Sequence, residues 1–207
     1  MHLTTFGRMT TLQRRPAARV AVAAALLGLA ACGSPSTGSD QQPAAGATTA
    51  VQVLRTATLK PGQPIPAPEG KPVLTLTGKV TAANKDAAVL LDLDTLDRLG
   101  QVRVRLYEPW AKQTLEFRGV PLTDVLDVAG VPADAATLHL TALDDYQVEL
   151  KVTDVRAGGI FLATKASDGA ALPIDRGGPT RIVFSDGVAA GANADQWIWS
   201  LKTIEVR

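Results

Sequence analysis

The segment from Phe117 to Val131 constrains the fold most, because it predicts the end of a strand, a tight turn and then a short amphipathic helix. Phe117 continues an alternation of apolar and charged residues, which is typical of a half-buried strand. Gly119 is predicted to allow a tight turn, and Pro121 suits the first turn of the helix that follows. An apolar stripe at helical spacing would then face the core, formed by Leu122, Val125, Leu126 and Ala129.

Strands dominate the rest of the sequence, which does not alternate regularly between strands and helices. Helix signals are few: Asp94 is predicted to cap a short helix that ends at Gly100, and Thr153 to cap another short turn. We therefore predict an α+β fold that is mainly β and sandwich-like, with mixed sheets and a few short helices. The other predicted strands are Val73–Val80, Ala88–Leu91, Gln101–Tyr107, Thr137–Leu143, Tyr146–Val152, Ile160–Thr164, Thr180–Phe184 and Trp197–Val206.

The N-terminus is typical of an export signal. Four arginines without an acidic residue precede a short apolar run, Val20–Ala31, which is too short to span a bilayer. The run ends in the pattern of a bacterial lipoprotein cleavage site, Leu-Ala-Ala followed by Cys32, the only cysteine in the sequence. We therefore predict a signal peptide over residues 1–31, and lipidation of Cys32 with acyl chains such as palmitate. The alternative is an ordinary signal peptide that happens to contain a cysteine.

Residues 32–70 are rich in Ser, Thr, Gly, Pro, Gln and Ala, and this composition predicts a flexible tether from lipidated Cys32. Val51, Val53 and Leu54 interrupt the tether and could add an edge strand. Residues 71–207 are predicted to form one domain that folds without the tether, outside the cytoplasm at the cell envelope. This domain has 15 basic and 18 acidic residues, a net charge of about −3, which argues against binding nucleic acid.

Few residues in the predicted domain suggest catalysis or metal binding. No thiol remains beyond Cys32, and His139 is the only histidine after the signal peptide. A lone histidine on a strand is usually a solvated or satisfied side chain, so we predict no catalytic residue and no metal ligand. Aromatic residues beside loops could instead line a pocket for a flat ligand, or the tryptophans could fill the core while Arg176 faces water. The candidate ligand-binding residues are Tyr107, Trp110, Tyr146, Arg176 and Trp197.

The order of several motifs resembles the molybdopterin-binding domain of sulfite-oxidase-like oxidoreductases. A Gly-Val-Pro-Leu turn at Gly119–Leu122 opens a helix, and a turn of the Asp-Gly-Tyr type follows at Asp144–Tyr146. A strand similar to the family's Gly-x-Pro-Leu-Arg motif begins at Gly178, and the chain ends on a strand from Trp199 to Val206. The resemblance covers nearly all of Val73–Arg207, and it implies the sulfite-oxidase-like fold.

The resemblance also implies a cofactor site, from which this sequence departs twice. The family holds molybdenum through a cysteine thiolate before the Gly-Val-Pro-Leu turn, and the corresponding stretch here, Arg103–Trp110, contains no cysteine. The family's late pterin-binding loop is basic, whereas Ser185–Trp197 contains two aspartates and no cation. The leading interpretation is a non-catalytic module that binds a ligand or a partner, without a cofactor. The alternatives are a molybdopterin oxidoreductase without a cysteine ligand, and a structural subunit beside a membrane redox partner.

Overall fold

The computed structural model describes residues 49–207. The predicted signal peptide, Cys32 and the first part of the predicted tether lie outside the described residues. Within the described part of the chain, no helix has the length and apolar character needed to cross a membrane.

Ten strands and three short α-helices form the fold of the described residues. Single 3-10 turns lie at Ile174–Arg176, Ala189–Gly191 and Ala194–Gln196. The helices are α1 (Leu93–Arg98), α2 (Leu122–Val128) and α3 (Val152–Arg156). The strands are β1 (Ala50–Arg55), β2 (Leu74–Gly78), β3 (Val89–Leu91), β4 (Gln101–Glu108), β5 (Gln113–Pro121), β6 (Thr137–Ala142), β7 (Gln147–Lys151), β8 (Ile160–Ala166), β9 (Arg181–Phe184) and β10 (Leu201–Val206).

The strands form two five-stranded sheets with orders β1-β4-β5-β8-β9 and β3-β2-β10-β6-β7. All pairs in the first sheet are antiparallel, whereas β2 and β10 in the second sheet are parallel. Buried apolar residues of both sheets and of the helices belong to one core, in which Leu106 and Leu140 are at most 1% exposed. The predicted fold class, α+β and mainly β with mixed sheets and a few short helices, is confirmed.

The predicted strand and helix are both present, but α2 follows β5 directly, without the tight turn predicted at Gly119. Gly119 lies within β5, where the register against β8 shifts between Arg118 and Gly119. A Cβ atom at Gly119 would lie 2.1 Å from the carbonyl oxygen of Leu162 on β8. The glycine is therefore needed because two backbones approach closely, as is typical of glycine inside a strand.

We expect Gly119→Ala to destabilise the protein by about 3 kcal/mol, because the added methyl group must displace the backbone of β8. Chemical denaturation of the purified protein would measure this loss. Gly70→Ala is the matched control, since its Cβ atom would meet nothing closer than 3.6 Å. Equal stabilities for the two variants would contradict the tight contact between β5 and β8.

The N-terminal cap of α1 is Asp92 rather than the predicted Asp94. One carboxylate oxygen of Asp92 accepts a hydrogen bond from the Thr95 N–H (2.8 Å), and the other accepts one from the Gly70 N–H (2.9 Å). Burial of Asp92 opposes its ionisation, but hydrogen bonds from Thr95 and Gly70 outweigh it and lower the pKa of the carboxyl group. Asp92 therefore joins the start of α1 to the segment that precedes β2.

The predicted tether differs from the structure between residues 49 and 70. Strand β1 pairs with β4, so the edge strand that the sequence offered as an alternative is present. Residues 56–70, which we call the strap, continue across the domain and bury Leu59 (2% exposed) and Ile65 (7%) in the core. The N–H groups of Thr58 and Leu59 both donate to the Arg98 carbonyl oxygen at 2.9 Å. The packed part of the chain thus begins before Lys71, because two apolar side chains hold a segment of otherwise tether-like composition.

Candidate ligand-binding site

A cavity of about 340 Å³ lies where three connections of the fold meet. Trp110 is in the β4–β5 connection, Tyr146 is in the β6–β7 turn, and Trp197 and Trp199 precede β10. Three of the five predicted ligand-binding residues, Trp110, Tyr146 and Trp197, therefore converge. We call this site the aromatic cavity; its lining is Trp110, Tyr146, Ala194, Asp195, Trp197 and Trp199.

One loop holds the polar edges of three of these aromatic side chains. This loop, Ser185–Gln196, is called the late loop below. The Trp110 indole N–H donates to the Ala194 carbonyl oxygen (3.2 Å), and the Tyr146 hydroxyl donates to the Asp195 carbonyl oxygen (3.0 Å). The Trp197 indole N–H donates to the Gly191 carbonyl oxygen (2.9 Å). Because these polar groups are already hydrogen-bonded within the protein, the three side chains offer mainly ring carbon to a ligand.

The aromatic residues differ in burial, which distinguishes a residue that supports the cavity from residues that are free to contact a ligand. Trp197 is 6% exposed, and its ring lies 5.4 Å from that of Phe184, so it forms the floor of the cavity. Trp110 and Tyr146 are 56% and 45% exposed. Exposed aromatic rings grouped around one cavity are typical of a surface that contacts a ligand or partner.

Trp197 and Trp199 do not lie on the same strand, although the sequence predicts that they share a strand face. Strand β10 begins only at Leu201, and Ser200 has a φ of 49°, so the chain bends between the tryptophans and the strand. Trp197 consequently packs on Phe184, whereas Trp199 packs over the guanidinium of Arg181.

Arg176 and Tyr107 lie beside the aromatic cavity rather than in it. Arg176 is exposed and lines an adjoining cavity of about 510 Å³, which shares Trp110 and Trp199 with the aromatic cavity. Tyr107 lines a third cavity of about 330 Å³, whose lining also includes Trp197. Side chains alternate along a strand, so Tyr107 points to the face opposite that of its buried neighbours on β4.

A buried ion pair between Glu108 and Arg181 forms the wall of the adjoining cavity, and our sequence analysis missed it. Arg181 Nη2 lies 2.7 Å from Glu108 Oε1, and the two side chains are 3% and 1% exposed. The second carboxylate oxygen of Glu108 accepts a hydrogen bond from the Ala111 N–H at 2.5 Å. The Arg181 guanidinium lies 4.4 Å from the ring centroid of Trp199 and 5.2 Å from that of Phe117.

Burial lowers the pKa of Arg181, and the hydrogen bond and charge of Glu108 oppose this shift. The pair could have been found from the strand pattern. Val104, Leu106 and Glu108 occupy the inward register of β4, and Arg181 begins the fully buried strand β9. Two opposite charges at inward positions of one sheet favour a buried pair, because a single buried charge is very costly.

Comparison with known proteins places this geometry in a family. The family model described as "Oxidoreductase molybdopterin binding domain" matches residues 92–207. No curated protein matches the sequence. Among solved structures, the chain is similar to the sulfane dehydrogenase SoxCD from Paracoccus pantotrophus, with a TM-score of 0.50 and 19% identity. The match covers 64% of this chain but only 37% of the SoxCD chain, so the likeness is one of fold. Because the family model spans more than half of the sequence, the chain belongs to the oxidoreductase molybdopterin-binding domain family.

Proposed function

We propose that this protein is an exported, lipid-anchored and non-catalytic member of its family, which binds a small organic molecule in the aromatic cavity. The observation that supports this proposal most is the buried pair of Glu108 and Arg181. It lies at the end of the stretch Arg103–Trp110, where the family resemblance implies a cysteine ligand for molybdenum. Here that stretch presents a carboxylate that is already neutralised by a neighbouring cation.

The residues around the site do not fit a molybdenum–pterin group. Residues 49–207 contain no cysteine, so they cannot supply a thiolate. The late loop contributes Asp186 and Asp195 and has no basic residue, and these carboxylates would repel the phosphate of a pterin cofactor. Across the described residues, no group of three or more His, Cys, Asp or Glu side chains is placed to hold a metal ion.

The aromatic cavity fits a small ligand in size and in lining. Its volume of about 340 Å³ is within the range of small-molecule sites, which is roughly 300–1,000 Å³. Its lining is mainly aromatic, with Asp195 as a single charged residue among the six. A pocket that combines broad apolar contact with few polar groups is the usual design of a binding site for an organic molecule.

The described chain begins beside the late loop, which also contributes Ala194 and Asp195 to this cavity. The Asp186 N–H of the late loop donates to the Thr49 hydroxyl at 2.7 Å, and Tyr107 N–H donates to the Asp186 carboxylate at 3.1 Å. Thr49 is the first described residue, and sixteen residues separate it from Cys32. A lipid on Cys32 would therefore be linked to the end of the domain that carries the late loop.

Metal and pterin analysis tests the proposal against its main alternative, a molybdopterin oxidoreductase without a cysteine ligand. We expect the protein purified from its own cells to contain far less than one molybdenum and one pterin per chain. The reason is that the sequence lacks both the cysteine thiolate and the basic loop that the family resemblance implies. Elemental analysis and pterin fluorescence after oxidation would measure both. Stoichiometric molybdenum or pterin would overturn the proposal and favour the alternative.

Cys32→Ala should release the protein from the membrane fraction in soluble form. The physical reason is that two or three acyl chains hold a protein firmly to a bilayer, and the variant has no thiol to carry them. Cell fractionation and the intact mass of the protein would measure the change. Ser34→Ala is the matched control and should remain in the membrane. A Cys32→Ala variant that stays membrane-bound with unchanged mass would contradict lipidation.

A further inference from the structure

We infer that the aromatic cavity selects a small organic cation that carries a quaternary ammonium group. This inference rests on the proposed function, that the cavity binds a small molecule, and adds the charge and chemical class of the ligand. It is carried by four aromatic side chains and one carboxylate around a single cavity: Trp110, Tyr146, Trp197, Trp199 and Asp195.

The available surface of the cavity is mainly ring carbon. The indole N–H groups of Trp110 and Trp197 and the Tyr146 hydroxyl all donate to carbonyl oxygens of the late loop. An anionic ligand needs several donors, and among the described residues only the Trp199 indole N–H remains as an aromatic donor of this lining. The face of an aromatic ring is negative, so grouped rings attract cations, and aromatic cages of this kind are the usual means of binding quaternary ammonium groups.

The charge around the cavity also favours a cation. Asp195 is the one charged residue in the lining. Arg181 lies under Trp199, but its charge is paired with Glu108 at 2.7 Å, and Arg176 lines the adjoining cavity instead. Since the described domain has 17 basic and 19 acidic residues, a net charge of −2, its overall field does not favour an anion either.

The carbonyl oxygens distinguish a quaternary ammonium from a primary one. A primary ammonium is strongly hydrated and needs three acceptors when it leaves water. The carbonyl oxygens of Ala194 and Asp195 each already accept from an aromatic side chain, so a primary ammonium would have only their remaining lone pairs and the Asp195 carboxylate as acceptors. A quaternary ammonium has no N–H to satisfy, and its methyl groups can pack on ring carbon. The ligand chemistry is therefore a methylated ammonium on a small soluble molecule.

Choline and 3,3-dimethylbutan-1-ol test this inference, because the two molecules have nearly the same shape and differ in charge. The full-length protein would be titrated with each, following tryptophan fluorescence and heat. We expect choline to bind at least about tenfold more tightly, since the ring faces and Asp195 act on the charge. Tetramethylammonium is expected to bind, and potassium ion at the same ionic strength is expected not to compete.

Three variants tie the binding to this cavity. Trp110→Ala should weaken choline binding by about tenfold, and Trp110→Phe should retain most of it, because a ring remains. Asp195→Asn should weaken binding of choline but leave binding of 3,3-dimethylbutan-1-ol unchanged. Ile174→Ala is the matched control: Ile174 is 62% exposed, like Trp110 at 56%, but does not line the cavity, so its replacement should change neither affinity nor stability.

Equal affinities for choline and its uncharged isostere, both lost in Trp110→Ala, would overturn the cation inference while leaving a ligand-binding cavity in place. Binding that is unchanged in Trp110→Ala would overturn the site itself. Binding of Cys32→Ala protein to phosphatidylcholine vesicles without any binding of free choline would also contradict the inference, because it would identify a lipid surface as the partner. These outcomes differ from the discovery of molybdenum or pterin, which would instead overturn the proposed function.

Discussion

Replacing Glu108 with alanine should destabilise the protein by about 3–5 kcal/mol, because it leaves the buried guanidinium of Arg181 without its counter-ion. Glu108 is 1% exposed and Arg181 is 3% exposed in their side chains, so water cannot take over the role of the lost carboxylate. The two aromatic rings beside the guanidinium, Trp199 and Phe117, cannot accept its hydrogen bonds. Thermal or chemical denaturation would measure the loss.

Two comparisons distinguish the effect of burial on this pair from the effect of losing any ion pair. Glu116→Ala removes the carboxylate that pairs with Arg103 at 3.1 Å, but these side chains are 32% and 35% exposed. We expect that control to cost less than about 1 kcal/mol, since water screens a partly exposed pair. The double variant Glu108→Leu with Arg181→Met should recover most of the stability lost in Glu108→Ala, because no charge then remains in the core. Similar losses in Glu108→Ala and Glu116→Ala would show that the pair at Glu108 is hydrated.

The buried pair also bears on our proposal that this member of the family works without the cofactor. A cavity built around a large anionic group would leave cations unpaired when the group is absent. Here the inward cation of β9 is matched by the inward carboxylate of β4, and the ring of Trp199 lies against the guanidinium. The charge of Arg181 is thus balanced within the protein, while its buried Nε atom has no hydrogen-bond partner among the described residues.

The strands and α2 could be predicted from the sequence because their burial has a simple period. The alternation of β6, in which Leu138, Leu140 and Ala142 face inward, is visible in the sequence and is found in the structure. The sequence indicates a structural need for glycine at position 119 but assigns it to a turn. In the structure the need comes from Leu162, far along the chain, whose backbone would clash with an added Cβ atom. Contacts between distant backbones leave no periodic signal in a single sequence.

The site was harder to predict than the fold, for a similar reason. Trp110 and Tyr146 were selected because aromatic residues beside loops often contact ligands, and both line the aromatic cavity. Their convergence depends on which connections meet in space, and on a late loop whose carbonyl oxygens hold both rings. Trp199 was placed on a strand that in fact begins two residues later, at Leu201. The Glu108–Arg181 pair is different, because both residues lie at inward strand positions that the apolar pattern of their strands predicts to be buried.

A shortened chain that begins at Lys71 should fail to fold stably, in contrast to the expectation drawn from composition. It lacks β1, so the edge of β4 loses its partner, and it lacks the strap with its buried side chains Leu59 and Ile65. Burial of each such side chain contributes about 1.5–3 kcal/mol, so the two together contribute roughly 3–6 kcal/mol. Since a domain is stable by only about 5–15 kcal/mol, this loss is a large part of the total.

The matched control for this truncation is a chain that begins at Thr49, which keeps β1 and the strap and should melt cooperatively at nearly the temperature of the longer protein. Single replacements in the full-length chain then locate the effect. Leu59→Ala should cost about 2–5 kcal/mol, because the side chain is 2% exposed, whereas Val53→Ala should cost little, because Val53 is 69% exposed on the edge strand. If the chain from Lys71 melted as cooperatively as the chain from Thr49, the strap would contribute nothing to the core, and residues 49–70 would act as tether despite their contacts with Arg98 and Asp92.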